Sequence, residues 1–288
     1  MPELPEVEVV KRSLEKYIKN LTIKSIRIKA KKLRYIIDRK KLKKTAGKKI
    51  NSIKRRSKYL LLNLNNNQTI LVHLGMTGKF FIIDKKKETK KTSFYYKLSF
   101  KDKKHNHLIF YLNKNIRLIY NDVRKFGFIK VILSENLKSN SHLKTLGPEP
   151  LSNKFNISYI KKYIINKKKS LKDLLMDQKF VSGLGNIYVN EILFLSGLNP
   201  YQNIQNTRIV EFKKIIKSTR KILKKSIKEG GSSIKNFNDS KGKNGSYQQL
   251  FNVYGREGVK CVKNKCRVII TKTNMSNRAT FFCKSCQK

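Results

Sequence analysis

The sequence is poor in acidic residues. It has 18 Asp plus Glu against 67 Lys plus Arg in 288 residues, which gives a formal net charge of +49 and an isoelectric point near 10.3. A chain with this balance has a polyanion as its default partner. Lys, Asn and Ile are used heavily, as an AT-rich genome would impose. Any single Lys run is therefore explained as well by a solvated surface as by a binding site.

Long apolar runs are also absent. No stretch approaches the roughly 18 apolar residues that a membrane-spanning helix needs. The opening segment MPELPEVEVV is acidic and lacks the apolar core of a secretory signal peptide. We therefore expect a soluble, cytoplasmic protein with no membrane partner. The length favours two domains, each with its own hydrophobic core.

Cysteine is scarce and confined to the C-terminal tail, at Cys261, Cys266, Cys283 and Cys286. The flanking runs RVIITKT and RATFFC predict two strands around a turn at residues 274–277. Two Cys pairs across a β-hairpin are typical of a tetrahedral thiolate site for zinc rather than of a disulfide framework. Four thiolates leave no open coordination position, so we predict one structural Zn²⁺ and expect the chemistry to lie elsewhere.

The hydrophobic pattern changes along the chain and predicts an α+β fold. Val7, Val10, Leu14 and Ile18 recur at helical spacing and predict an amphipathic helix from Pro5 to about residue 20. Short β-branched and aromatic runs then predict a largely antiparallel β-sandwich, and periodic apolar residues beyond it predict helices. The predicted division is an N-terminal domain at 1–133, a linker at 134–151, a helical domain at 152–251 and the metal-binding tail at 252–288.

Two polar segments stand out by their composition. The Lys-rich stretch 84–107 is predicted to be a loop-rich hairpin on the surface, and the Gly-, Ser- and Asn-rich stretch 230–249 a mobile loop.

In GLGNIY, two glycines permit a tight turn, and Asn186 is suited to cap a helix that begins at Ile187. The N–H groups of such a helix start bind anions, so a phosphate can dock there, although this pattern is weak support in isolation.

Seven blocks of the sequence, in order over essentially the whole chain, are similar to the bacterial formamidopyrimidine-DNA glycosylase family. The blocks are MPELPEVE, RRSKYLLL, HLGM, DVRKFG, LGPEPLS, LLMDQKFVSGLGNIYVNEILF and RATFFCKSCQK. Members of that family remove oxidised purines from double-stranded DNA and then cut the abasic strand. The resemblance implies a monomer that binds damaged DNA at the bacterial nucleoid. It also implies a helix-two-turn-helix motif in the helical domain and a β-hairpin zinc finger in the tail.

The resemblance implies four catalytic residues. Pro2, freed by removal of Met1, is expected to be the nucleophile, because an N-terminal amine has a pKa of roughly 8 and is partly unprotonated at neutral pH. Glu3 is expected to act as general acid and base at the sugar ring oxygen. Lys58 is expected to bind the phosphate beside the lesion and to donate a proton in β-elimination. Arg278 is expected to clasp the same phosphate and to serve δ-elimination.

Three further residues match those that the family inserts into the duplex after the damaged nucleotide is extruded. They are Met76, Arg124 and Phe126, which offset part of the lost stacking by filling the hole and by bonding to the orphaned base. Core packing is the plain alternative for Met76 and Phe126. Glu6, in the first helical turn, is as well explained by helix capping as by catalysis.

The resemblance also assigns three contacts to the DNA backbone, made by His105, Lys167 and Asn186. A surface His without a function is the alternative for His105. A shifted register is the alternative for Lys167, with Lys168 or Lys169 in its place.

The chain departs from the family pattern at three places. Lys125 stands where a second Arg is usual, the first Cys pair is spaced by four residues instead of two, and the segment between Met76 and His105 is longer than is typical. Two other functions remain open. An endonuclease VIII-type glycosylase would prefer oxidised pyrimidines, but its start resembles PEGPE, whereas Leu4 stands here. The third possibility is a non-catalytic nucleic-acid binder that uses charge and a zinc ribbon.

Overall fold

The structure is a computed structural model that describes residues 2–84, 89–91, 103–232 and 249–288, with only the backbone described at 89–91. The chain forms two compact units. The first comprises Met1–Lys144 with Gly230–Ser246, and the second comprises Thr145–Glu229 with Tyr247–Lys288. Most of the predicted hairpin at 84–107 and of the predicted loop at 230–249 lies outside the described residues. The predicted domain limits at 133, 151 and 251 stay predictions.

The first unit contains two helices and nine strands among its described residues. The helices are α1 (Leu4–Ile18) and α2 (Arg39–Lys43). The strands are β1 (Ile23–Ile28), β2 (Ile50–Arg56), β3 (Tyr59–Leu64), β4 (Gln68–His73), β5 (Lys79–Ile83), β6 (Thr89–Lys91), β7 (Asn106–Leu112), β8 (Arg117–Asn121) and β9 (Phe128–Leu133). Single 3₁₀ turns span Lys103–His105 and Ser134–Leu137.

The strands of this unit form two antiparallel sheets around one core. One sheet has the order β1-β7-β8-β5-β6 and the other β2-β3-β4-β9. Alternation along β3 explains the packing, because Leu60 and Leu62 point into the shared core while Leu61 packs against Leu71 and Phe128 on the outer face. The predicted β-sandwich is confirmed.

Helix α1 covers the sandwich through the apolar stripe seen in the sequence. Val7, Val10, Leu14 and Ile18 are almost completely buried in the same core, and α1 packs against β2 and β3. Burying each such side chain stabilises the fold by about 1.5–3 kcal/mol. The stripe thereby fixes the N-terminal end of the chain against the β2–β3 hairpin.

Helix α2 interrupts a stretch for which only strands were predicted. Asp38 caps it, since the N–H of Lys41 donates to Asp38 Oδ1 at 2.9 Å. The helix has five residues, which is too short to show a helical period in the sequence.

The second unit is helical and ends in a hairpin. Its helices are α3 (Ile157–Ile164), α4 (Leu171–Met176), α5 (Asn186–Ser196) and α6 (Ile209–Lys228), with a 3₁₀ turn at Ile204–Asn206. Its strands are β10 (Thr271–Met275) and β11 (Arg278–Phe282). The predicted helices and the predicted α+β class are confirmed. Nowhere in the described part of the chain does a helix combine the length and hydropathy needed to cross a membrane.

The hairpin turn is tighter than the sequence predicted. Met275 pairs with Arg278, so the turn consists of Ser276 and Asn277 alone, with φ values of 49° and 58°. Positive φ at both central residues is the type I′ geometry that matches the twist of a two-residue hairpin. Asn274, placed in the turn by the sequence, is the partner of Ala279 in the ladder.

Two loops of the sandwich meet backbone to backbone at Gly75. Its φ is +61°, and an added Cβ would lie 2.4 Å from both Gly127 N and Phe126 C. The loop after β4 therefore touches the loop before β9 with no room for a side chain. Gly47 has a similar φ of +80°, but nothing lies within 4 Å of its added Cβ.

These two glycines allow a matched test of the contact. Gly47→Ala should lower the free energy of unfolding by about 1 kcal/mol, the cost of a left-handed conformation for a residue with a side chain. Gly75→Ala should lower it by about 2–4 kcal/mol, because overlap with rigid backbone adds to that cost. Urea unfolding monitored by circular dichroism measures both, and equal losses would show that the two loops do not meet as described.

Candidate functional site

The N-terminal turn of the first unit is buried and held by a carboxylate. Pro2, Glu3 and Glu6 are all buried. Glu6 Oε2 accepts the N–H of Glu3 at 2.9 Å, while Oε1 accepts the N–H and the hydroxyl of Ser232 at 2.8 and 2.9 Å. Glu6 therefore caps α1 and ties its start to the segment that follows α6. The helix-capping interpretation of Glu6 is confirmed.

Lys58 lies in the two-residue turn between β2 and β3. The flanking residues Arg56 and Tyr59 pair with each other. Lys58 is only 7% exposed, which is unusual for a Lys in a hairpin turn. Because α1 packs on both strands, the elements that carry Pro2, Glu3 and Lys58 are direct neighbours. The structure thus brings three of the four predicted catalytic residues onto adjoining elements of one unit.

Met76, Arg124 and Phe126 surround a cavity of about 660 Å³. Met76 is 43% exposed and Phe126 is 44% exposed, so the core-packing alternative for both is wrong. The Arg124 guanidinium lies 4.5 Å from the centre of the Phe126 ring. The cavity is lined by Leu33, Arg34, His73, Gly75, Met76, Arg124, Lys125 and Phe126. An exposed apolar pair beside a stacked guanidinium is suited to contact a planar aromatic group.

A fully buried carboxylate, Asp122, holds this cavity together. Its Oδ2 accepts the N–H of Gly127 at 2.8 Å and the hydroxyl of Tyr120 at 3.3 Å, and its Oδ1 accepts the hydroxyl of Thr77. Thr77 in turn accepts the N–H of Arg124 at 3.0 Å. Sequence analysis assigned no role to Asp122, although this residue opens the DVRKFG block. It joins the loop that carries Met76 to the loop that carries Arg124 and Phe126.

The histidines around this region differ in burial. His105 is half-buried, and its carbonyl accepts the N–H of Asp122 at 3.1 Å. Burial, with the charges of Lys58 and Arg34 as further causes, lowers the pKa of His73 to about 4. His73 is therefore neutral at neutral pH, and its Nδ1 accepts the N–H of Gly75 at 3.2 Å.

In the second unit, Asn186 holds the hairpin instead of capping its own helix. Helix α5 begins at Asn186 itself, and Gly185 occupies the cap position. Asn186 Nδ2 donates to the carbonyl of Ala279 at 2.8 Å. The predicted side-chain cap is wrong because the helix starts one residue earlier and the hairpin carbonyl provides another partner for the amide.

Lys172 is a buried residue that the sequence did not single out. It is 1% exposed, and its Nζ donates to the Ala279 carbonyl at 3.1 Å and to Thr280 Oγ1 at 2.7 Å. Burial chiefly lowers its pKa to about 8; Asp173 opposes this and Arg278 adds to it. Two donors thus fix the carbonyl that directly follows Arg278, which itself is exposed at the start of β11.

Glu191 performs a similar task on the segment that leads to the hairpin. It is fully buried in α5, and its carboxylate accepts the backbone N–H groups of Asn252, Val253 and Tyr254 at 2.9 Å each in their shorter contacts. Sequence analysis assigned no role to Glu191, which lies within the NEILF motif. Three successive backbone N–H groups that bond to one side chain fix the path of the chain at this point.

The lysines at 167–169 have different partners. Lys167 Nζ donates to the Tyr163 carbonyl at 2.6 Å and lies 3.3 Å from the centre of the Tyr163 ring. Lys169 pairs with Asp177 at 2.8 Å, and Lys168 is exposed. Which of the three contacts DNA stays a prediction.

The four cysteines form one cluster that can bind a metal ion. Cys261 Sγ lies 3.9 Å from Cys286 Sγ, and Cys266 Sγ lies 3.6 Å from Cys283 Sγ. All four sulfurs lie within 4.8 Å of one another. Tetrahedral ligands at a Zn–S distance of about 2.3 Å lie about 3.8 Å apart, whereas a disulfide requires about 2.05 Å. The donor set and its spacing therefore fit a metal, and the longer gap in the first pair does not prevent the cluster.

Comparison with known proteins identifies the family. Residues 1–129 match the family described as Formamidopyrimidine-DNA glycosylase N-terminal domain, and residues 146–238 match Formamidopyrimidine-DNA glycosylase H2TH domain. The chain belongs to the formamidopyrimidine-DNA glycosylase family. The resemblance based on seven sequence blocks is confirmed.

Members of this glycosylase family match the chain from end to end. The Formamidopyrimidine-DNA glycosylase of Rickettsia bellii (strain OSU 85-389) is 38% identical over 288 residues and that of Bradyrhizobium sp. (strain ORS 278) is 36% identical over 294, with 100% of each chain covered. A Lactococcus lactis FPG mutant in complex with Fapy-dG containing DNA is 34% identical, with a TM-score of 0.84 and 100% coverage of both chains. Lactococcus lactis Fpg bound to abasic-site DNA is 34% identical, with a TM-score of 0.83 and 99% coverage of both.

The Lys172 pKa yields a pH-dependent prediction for this glycosylase-family chain. Between pH 8 and about 10.5, Lys172 is protonated more fully in the unfolded chain than in the folded one. The contribution of Lys172 to the free energy of unfolding therefore rises with pH across this range. The free energy of unfolding of the wild type should therefore increase relative to Lys172→Met across that range, in urea titrations at several pH values. Thr280→Val keeps Lys172 and should keep the rise. Parallel curves for wild type and Lys172→Met would contradict the lowered pKa.

Proposed function

We propose that this protein excises oxidised purines, such as 8-oxoguanine and formamidopyrimidines, from double-stranded DNA and then cuts the abasic strand by β,δ-elimination. The observation that carries the proposal is membership of the glycosylase family over the full chain, with Pro2, Glu3 and Lys58 all present. Similar solved structures contain Fapy-dG DNA and abasic-site DNA, the substrate and the intermediate of such a reaction.

In the proposed reaction the nucleophile is the secondary amine of Pro2 after removal of Met1. Its nitrogen bonds to sugar C1′ as the bond from C1′ to the base breaks, and the base leaves with the electron pair. Glu3 protonates the ring oxygen as the sugar opens, which leaves an iminium ion between Pro2 and C1′. The cationic iminium acidifies the C2′ proton, and loss of that proton expels the 3′ phosphate.

Lys58 and Arg278 are proposed to act on the phosphates. Lys58 is a buried cation on the element beside the N-terminal turn, where it can bind the phosphate next to the lesion and donate a proton during β-elimination. Arg278 is exposed on the hairpin and presents a planar fork that matches phosphate oxygens. We assign Arg278 to the same phosphate and to δ-elimination.

The remaining proposed residues bind DNA around the extruded nucleotide. Met76 and Phe126 are the exposed apolar groups that would fill the hole in the stack, and Arg124 would bond to the orphaned base. This use is supported by the buried Asp122, which holds their two loops together. His105, Lys167 and Asn186 are proposed as contacts to the DNA backbone. As the family resemblance implies, we propose a monomer that acts in the cytoplasm at the nucleoid.

The cysteine cluster is proposed to hold one structural Zn²⁺. Cys261, Cys266, Cys283 and Cys286 would supply four thiolates, and the metal would contribute rigidity to the hairpin that carries Arg278. It takes no part in bond cleavage, since four protein ligands leave no site for substrate or water.

Borohydride trapping tests the proposed chemistry. Reduction of the iminium should link the protein covalently to a duplex that contains 8-oxoguanine opposite cytosine, and mass spectrometry of the adduct should locate the bond at Pro2. A chain with an uncleaved N-terminal extension is the control and should form no adduct. Absence of an adduct from the wild type under conditions that trap a known family member would exclude the mechanism. Stronger trapping on an oxidised pyrimidine would favour the endonuclease VIII-type alternative.

Metal analysis tests the zinc proposal. The purified protein should contain about one Zn²⁺ per chain. Cys283→Ser should lose the metal and lower the unfolding temperature, because metal binding and folding of such a hairpin are coupled. Ser285→Ala, which changes a residue between two ligands, should keep the metal. Full zinc occupancy in Cys283→Ser would show that Cys283 is not a ligand of the metal.

A further inference from the structure

Arg55, at the end of β2, connects α1 to the turn that carries Lys58. Its side chain is 10% exposed. The Nε donates to Glu8 Oε2 at 2.9 Å, and a terminal guanidinium nitrogen donates to the Ser57 carbonyl at 2.9 Å. One planar side chain thus contacts a helix carboxylate and a hairpin carbonyl together. Neither Arg55 nor Glu8 has a role in the proposed reaction described above.

The orientation of the Ser57 carbonyl sets the direction in which the Lys58 side chain leaves the backbone. Ser57 is 1% exposed and has a φ of 55°, a left-handed conformation that is uncommon for a residue with a side chain and that is used here in a two-residue hairpin turn. The carbonyl that Arg55 holds belongs to the peptide unit whose nitrogen is that of Lys58. Because a peptide unit is planar, holding its oxygen sets the orientation from which the Lys58 side chain departs.

Glu8 supplies the fixed end of this arrangement. It lies on α1, the helix that begins just after Pro2 and Glu3, and its side chain is 16% exposed. Its second oxygen, Oε1, accepts Arg12 Nε at 3.1 Å, but Arg12 is 61% exposed and does not reach the turn. The Glu8 carboxylate therefore bonds to two arginines: Arg12, which is largely exposed to solvent, and Arg55, which also bonds to the β2–β3 turn.

We propose that Glu8 and Arg55 form a positioning pair that sets the direction of Lys58 relative to the N-terminal turn. The proposal rests on the proposed function, in which Lys58 acts on the phosphate beside the nucleotide that Pro2 attacks. An Arg is required because two of its nitrogens must bond in fixed directions at once, whereas the single nitrogen of Lys cannot hold both partners in this geometry.

Arg55→Lys tests the pair, with Arg12→Lys as the matched control at the same carboxylate. The measurement is the single-turnover rate of strand cutting on a duplex with an abasic site, beside the dissociation constant for that duplex. Arg55→Lys should cut about ten- to a hundredfold more slowly, because small misplacements of a catalytic group have effects of that size. Its DNA affinity should change less than its rate, and Arg12→Lys should resemble the wild type.

A double-mutant cycle separates positioning of Lys58 from general damage. In a Lys58→Ala background, Arg55→Lys should cause no further loss of cutting rate, since the group that it orients is already gone. If the loss is the same in both backgrounds, Arg55 does not act through Lys58 and the proposal is overturned. If Arg55→Lys fails to fold in urea titrations, Glu8→Gln, which keeps the shape of the side chain, enters the same cycle with the same expectation.

The two proposals fail in different ways. An inactive wild type, or a Lys58→Ala variant that cuts at the wild-type rate, contradicts the proposed function or the role of Lys58. An active wild type with Lys58-dependent cutting, together with an Arg55→Lys variant as fast as Arg12→Lys, contradicts the positioning pair alone.

Discussion

Buried and half-buried carboxylates hold the parts of the site in place. In a chain with only 18 acidic residues, Glu6, Asp122 and Glu191 are almost completely buried, and each accepts a hydrogen bond from a segment distant in the sequence. Burial of a carboxylate is costly unless several hydrogen-bond donors compensate it. Because these donors come from different segments, each buried carboxylate joins two or more parts of the chain. Glu8 does the same for the turn at Lys58. Buried and half-buried basic residues such as Lys172 and Arg55 hold backbone carbonyls in the same way.

The excess of cations affects the site beyond simple attraction of DNA. Burial and neighbouring positive charges together lower the pKa of His73 to about 4 and that of Lys172 to about 8. Burial is the larger cause at both groups, and the neighbouring positive charges add to it. The net charge of +49 favours a polyanionic partner, because binding such a partner neutralises part of the charge that the chain carries.

Met76 and Phe126 expose apolar surface to water at the cavity, and binding of DNA would remove the free-energy cost of that exposure. Large apolar side chains exposed at a cavity rim lose favourable contacts in water, and Arg124 covers part of the Phe126 ring. The two loops are held in this arrangement, because Gly75 and Gly127 meet backbone to backbone and Asp122 bonds to both sides. A preformed rim of this kind lowers the conformational cost of inserting side chains into a duplex.

The sequence by itself determined the α+β class, the sandwich strands, the main helices, the cysteine cluster and the family, because local periodicity, short motifs and Cys spacing are properties of neighbouring residues. Only the tertiary structure decided that Asn186 bonds to the hairpin instead of capping α5, and that Lys172, Glu191, Asp122 and Arg55 are structural links. Each of them has a partner far away in the chain: Arg55 is 47 positions from Glu8, and Lys172 is 108 positions from Thr280. No local pattern encodes such a contact, since it exists only once packing has brought the two segments together.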